Sequence, residues 1–240
     1  MRLHKCGHQK ASEREFIMKI LAMGDLHGHL PIIDEYYESE DYDVVVIAGD
    51  IAPDHSILPE VNASFQTEWL NTKFFKWAAG LKKPVFGCYG NHDYGLLTKK
   101  NRRIQIYVNA IIDNFFLFAW TPEFYGWNYM VKDLEGDCAA NSIEGSIESR
   151  LEHSLNKCKK SDIPDIWVCH GPPYGICNDF QGSQALYNAI EEYQPKAVFV
   201  GHFHNGKRRG QIGNSLIYNC ALVDNDLYPV YAPEIIDVEL

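Results

Sequence analysis

Five short apolar runs divide the chain: 18–24 (MKILAMG), 43–49 (DVVVIAG), 84–90 (PVFGCYG), 165–169 (DIWVC) and 196–201 (KAVFVG). Runs of this length, bounded mostly by glycine, predict strands buried on both faces. Helical spacing falls between them. Phe65, Trp69, Phe74, Trp77 and Leu81 recur every three to five residues, and Gly80 and Pro84 close the segment, which predicts a helix over 62–81. Residues 142–160 and 183–193 are the second and third predicted helices. Strands alternating with helices predict a largely parallel α/β core.

The last third changes pattern. Residues 206–212, 215–221 and 234–240 are β runs without helices between them, which predicts antiparallel hairpins. Residues 104–120 form another pair of β runs, broken near Asn109. There is no internal repeat, low-complexity tract or linker, so one domain is expected over 18–240. A disordered leader is expected over 1–17, carrying His4, Cys6 and His8. The stretch between His92 and His170 is expected to be an insertion that dresses the site.

Composition narrows the class. With 240 residues, 46% of them apolar and 13% aromatic, and a mean hydropathy of −0.27, the chain is neither disordered nor membrane-embedded. A net charge of −10 argues against binding to long duplex DNA, which needs a basic face. Cys6, Cys88, Cys138, Cys158, Cys169, Cys177 and Cys220 are odd in number, scattered and without a C-x-x-C pair. That pattern favours free thiols in a reducing compartment, the cytoplasm, over a disulfide framework or structural zinc. No apolar run reaches the length of a membrane span, and no secretory signal is expected.

Ligands bind beyond the carboxyl ends of strands in open α/β sheets. The five predicted strand ends carry Asp25 and His27, then Asp50, Asn91 and His92, His170, and His202 and His204. An isolated histidine is ordinarily a hydrogen-bonded surface or core group. The joint occurrence of these residues, always at a strand end, points to a metal site. Mixed imidazole and carboxylate ligands suit Mn, Fe, Zn or Ni better than Mg or Ca.

The ordered set Asp25-Leu26-His27, Gly49-Asp50, Gly90-Asn91-His92-Asp93, His170-Gly171-Pro172-Pro173 and Gly201-His202-Phe203-His204 resembles the calcineurin-like metallophosphoesterases. The resemblance implies a four-layer α/β/β/α sandwich of two mixed sheets with a dinuclear metal centre between them. It implies Asp25, His27 and His204 on one ion, Asn91, His170 and His202 on the other, and Asp50 bridging both. Manganese is the first expectation for the two divalent ions. They would clamp a phosphoester and generate the attacking hydroxide. With only Asp25 and Asp50 anionic among the ligands, the loaded site keeps a local charge of about +1, which attracts phosphate.

In the family pattern His92 coordinates nothing, and it is expected to protonate the leaving alkoxide. Its orienting partner is open between Asp54, Asp93 and water, with the two carboxylates ranked equally, because Pro53 stands where many relatives carry the acid. The Arg of the protein phosphatases, in G-D-x-x-D-R-G, is missing from Gly49-Asp50-Ile51-Ala52-Pro53-Asp54-His55. Two basic clusters are candidates to replace it: Lys207-Arg208-Arg209, and Lys99, Lys100, Arg102 and Arg103. Solvated turn charges are the ordinary explanation of either cluster. Asn91, His92 and Arg208 are the candidate substrate contacts, with His29 and Tyr174 as further ones. The 120–127 segment, with Trp120 and Trp127, looks like that of small phosphodiesterase-like members.

The function expected is hydrolysis of a small, nucleotide-like phosphodiester or phosphomonoester. The alternatives are a nuclease on short or single-stranded nucleic acid, a protein phosphatase, and a scaffold without catalysis. The last would be expected to have lost ligands, and every ligand position here is filled.

Overall fold

Each of the five apolar runs forms a strand in a computed structural model, which describes residues 16–33, 37–38, 41–56, 58–119, 147–156, 159–178 and 181–240. Strands β1 (Ile17–Met23), β2 (Val44–Ala48) and β3 (Val85–Cys88) pair in parallel. Strand β4 (Ile104–Tyr107) extends the row from β3, and β11 (Glu234–Glu239) pairs antiparallel with β1, giving a sheet ordered β11-β1-β2-β3-β4. The second sheet is ordered β5-β6-β7-β8-β10-β9, from β5 (Asn109–Ile112), β6 (Phe115–Phe118), β7 (Ile166–Cys169), β8 (Ala197–Val200), β9 (Arg209–Ile212) and β10 (Ser215–Asn219).

Side-chain alternation sets the layers. Phe115 and Leu117 on β6 join a core shared with the first sheet, where Phe115 stacks on Phe86 at 4.4 Å between ring centroids. Phe116 and Phe118 face the opposite way and pack with Trp167, Leu151, Leu155, Leu186 and Ile190. Trp167 lies on β7, and the other four lie on helices α2 (Ile147–Leu155) and α3 (Gln184–Tyr193). The helical segment from Pro59 to Gly80, α1, covers the outer face of the first sheet with Leu70, Phe74 and Ala78. The result is two mixed sheets face to face with helices outside.

Helix α1 runs from Pro59–Trp69 through a π-helical stretch, Leu70–Phe74, into Phe75–Gly80. Within that stretch Phe75 N–H donates to the Leu70 carbonyl five residues back. Its most buried row is Asn62, Gln66, Leu70, Phe74 and Ala78. The aromatic stripe read from the sequence only flanks that row: Phe74 is fully buried, whereas Phe65, Trp69 and Trp77 are partly exposed. Helix α3 starts where Ser183 accepts the Leu186 N–H on its Oγ, an N-cap.

Three expectations change. The break near Asn109 is a crossover between sheets: β4 ends in the first sheet and β5 opens a hairpin with β6 in the second. The 92–170 stretch is therefore not an insertion throughout, since it supplies four strands, β4 to β7. Only β9 and β10 of the last third form a hairpin. The 234–240 run crosses to pair with β1, because that edge is open to it. Strand β1 also starts one residue early, with Phe16 exchanging both backbone hydrogen bonds with Leu240. The leader through residue 15, the 120–127 segment and 142–146 lie outside the described residues. Among those described, no helix is long and apolar enough to cross a membrane.

Candidate metal centre

The ends of β1, β2, β3, β7 and β8 are laced together across the two sheets. Asp25 N–H donates to the Gly49 carbonyl and His27 N–H to the Asp50 carbonyl, both at 2.9 Å. His92 N–H reaches Asp50 Oδ1 at 2.8 Å. His202 N–H donates to both Asp25 oxygens at 2.9 Å, which links the second sheet to the first. His170 Nδ1–H donates to the Ala48 carbonyl at 2.8 Å.

These hydrogen bonds hold a backbone that disfavours itself. Asp25, His27, Asp50 and His202 all have left-handed φ, at 49°, 40°, 48° and 70°. Such conformations cost on the order of 1–2 kcal/mol each and persist where the surroundings impose them. The motif glycines have a different reason. At Gly90 an added Cβ would collide with Asp50 Oδ1, and at Gly49, with φ 83°, it would collide with His170 Nδ1. The carboxylate and the imidazole fit only because those side chains are absent.

The ligand-type atoms converge. One atom each from Asp25, His27 and His204 lie within 4.8 Å of one another, as do those of Asp25, Asp50 and His170. His204 Nε2 is 3.3 Å from Asp25 Oδ1, and His27 Nε2 is 3.7 Å from Asp50 Oδ2. His170 Nε2 lies 3.3 Å from Asp50 Oδ2. Asn91 Oδ1 sits 2.8 Å from both His170 Nε2 and His202 Nδ1. The Nδ1–H groups of His170 and His204 are spent on the Ala48 and Asp224 carbonyls. Their Nε2 atoms therefore face the cluster, the usual outer-shell arrangement of a metal-binding imidazole.

His27 decides whether the residues fit a metal. It is buried, yet among the described residues neither ring nitrogen makes a hydrogen bond. Buried polar atoms are nearly always satisfied, and beside two carboxylates a cation is the partner that the ring's one lone pair calls for. The electrostatics divide the histidines: burial opposes charge on His170 and His204, but Asp50 carries His170 up to about 9 and Asp25 raises His204. Burial lowers the pKa of His27 despite its two aspartate neighbours. Burial and the His170 charge bring His202 down to about 3. Both imidazoles are thus neutral, the form that coordinates. Burial alone would raise Asp50, but the charges of His170 and His92 hold it well below the usual carboxylate range.

His92 stands at the rim with its side chain 41% exposed. Burial opposes its charge, but Asp50 and a hydrogen bond from Nδ1 to Asp54 Oδ2 at 2.8 Å raise its pKa to about 9. Of the two candidate carboxylates, Asp54 is the one on His92. Asp93 is committed elsewhere, as a correction to its candidacy: its oxygens accept N–H groups from Ile51, Ala52 and Gly90 at 2.8–3.1 Å. Arg208 is also engaged. It donates to the Ala221 carbonyl, pairs with Glu234 at 3.4 Å and lies over the Tyr231 ring. His29 and Tyr174 are exposed.

Two buried amides escaped the sequence reading. Asn62 and Gln66 bind the loops that carry Asp54 and His92, and only their position four apart on a helix hints at a shared face.

One solved structure superposes with a TM-score of 0.58 at 17% identity, covering 85% of this chain and 90% of the other. The crystal structure of TT1561 of Thermus thermophilus gives 0.51 at 15% identity, with 85% and 89% covered. At such identities these likenesses speak for the fold. Curated protein sequences yield no significant match. The profile of the calcineurin-like phosphoesterases matches residues 18–206, from the first strand through both histidines that follow β8. With every strand-end residue of that stretch turned onto one cluster, the chain belongs to the calcineurin-like phosphoesterase family.

Proposed function

We propose that this protein is a metal-dependent hydrolase of a small, nucleotide-like phosphodiester or phosphomonoester. The observation that carries the reading is the convergence of ligand atoms around His27, whose buried nitrogens make no hydrogen bond among the described residues. Asp25, His27 and His204 would hold one ion, Asn91, His170 and His202 a second, and Asp50 both. Two such divalent ions, manganese first, would supply Lewis acidity toward phosphoryl oxygens and would acidify a water for attack on phosphorus.

The remaining work falls to the chain. Asn91 within the ligand cluster and His92 at its rim are the groups placed to contact the phosphoryl group. His92, positively charged at neutral pH, presents Nε2 to the site while Asp54 holds Nδ1. It delivers a proton to the departing alkoxide. Two carboxylates among the ligands leave a loaded site positive enough for one phosphate, while the overall charge of −10 repels long polyanions. The buried free thiols of Cys88, Cys169, Cys177 and Cys220 suit a reducing compartment such as the cytoplasm.

The test is hydrolysis of bis-p-nitrophenyl phosphate by the Mn²⁺-loaded protein. Asp50→Asn and His170→Ala should each abolish it, losing about 10³-fold or more. Full activity in the Asp50 variant overturns the reading.

A further inference from the structure

Asn62 and Gln66 are buried to 2% and 0% exposure on one face of α1. Amides are seldom buried unless every polar atom is used, and here every one is. Gln66 Nε2 donates to the Pro53 and His92 carbonyls at 3.2 and 2.9 Å. Its Oε1 accepts the N–H groups of Tyr94 and Gly95 at 2.7 and 3.1 Å. Asn62 Oδ1 accepts from His55 and Ser56, both at 2.8 Å. Its Nδ2 donates to Asp54 Oδ1 at 3.2 Å and to the Ser56 carbonyl at 2.7 Å.

Eight hydrogen bonds from two side chains thus tie one helix to two loops. The 53–56 loop carries Asp54 and the 92–95 turn carries His92. The two segments meet through the Asp54–His92 hydrogen bond, and Asn62 takes the other oxygen of the same carboxylate. We infer that Asn62 and Gln66 are positioning residues, a paired-amide clamp that fixes where the His92 imidazole points. The clamp touches no ligand side chain of the cluster. Its effect is therefore directed at the leaving-group side of the reaction, and it rests on the reading of His92 as proton donor.

A merely structural amide would damage all substrates alike. A clamp on the proton donor is felt most where the leaving group needs a proton. An alkyl alkoxide does, and p-nitrophenolate does not. The experiment compares a p-nitrophenyl and an alkyl ester of the same phosphate with Mn²⁺-loaded Gln66→Glu, Asn62→Asp and His92→Ala, with bound manganese measured by elemental analysis. Gln66→Glu removes the two donated hydrogen bonds while keeping the acceptor oxygens. Asn62→Asp sets a second carboxylate against Asp54 and stands in should the first variant fold poorly.

The expected result is a rise of about tenfold or more in the ratio of p-nitrophenyl to alkyl ester turnover, in each variant, with manganese content unchanged. A ratio unmoved in both amide variants but raised in His92→Ala overturns the clamp and leaves the His92 reading intact. A ratio unmoved in His92→Ala overturns that reading and the clamp with it.

Discussion

Asp54 bonds the His92 imidazole and Asp93 follows His92 in the chain, and their surroundings give them different work. Asp93 gathers the N–H groups of Ile51, Ala52 and Gly90 and so joins the bridging-aspartate turn to the third motif. Asp93→Asn would set an amide NH₂ against one of those donors in a fully buried place. The expected cost is about 2–3 kcal/mol of stability, read as a lower urea midpoint with unchanged slope. Sequence alone left these two carboxylates equal, because the choice depends on how a proline shifts one turn. The ligands were legible because they sit immediately after strands. Asn62 and Gln66 were not: a buried amide and a surface amide look the same until the loops above them are placed.

Among the elements, those whose partners are near in sequence were readable and those with distant partners were not. The five buried strands and α3 stand close to where the apolar runs put them. Ser183 was visible as the start of α3, and its side chain caps Leu186 N–H. Ser183→Ala should lower stability by about 1 kcal/mol, measured by chemical denaturation, and leave phosphoesterase turnover near its original value. Sheet membership is another matter. Nothing local tells β4 to stay in the first sheet while β5 leaves for the second, since both read as alternating β runs. The pairing of β11 with β1 joins opposite ends of the chain and is equally silent in the sequence.

For the molecule as a whole, folding and metal binding should be one coupled equilibrium. The ligands come from both sheets, and four of them keep left-handed backbone only within the assembled edge. Binding a cation at the cluster selects the folded state. At free metal about 100-fold above its dissociation constant, one site adds about 2.7 kcal/mol, which for a chain of this size raises the melting temperature by about 5–10 °C. Chelation with EDTA should remove that increment and Mn²⁺ should restore it. A melting temperature indifferent to both would count against a resident metal.

The π-helical stretch of α1 has a mechanical consequence. A four-residue step on an ordinary α-helix overshoots a full turn by about 40°, so the row from Asn62 to Ala78 would wander around the cylinder by about 160°. Underwinding at Leu70–Phe74 counters that drift, so the amide end and the apolar end of the row are buried together. The stretch is an angular register mark on a shaft. Deleting one residue within it would turn the loop-gripping half by about 100° relative to the core-packing half. The helix could then seat its aliphatic teeth or its amides, but not both at once.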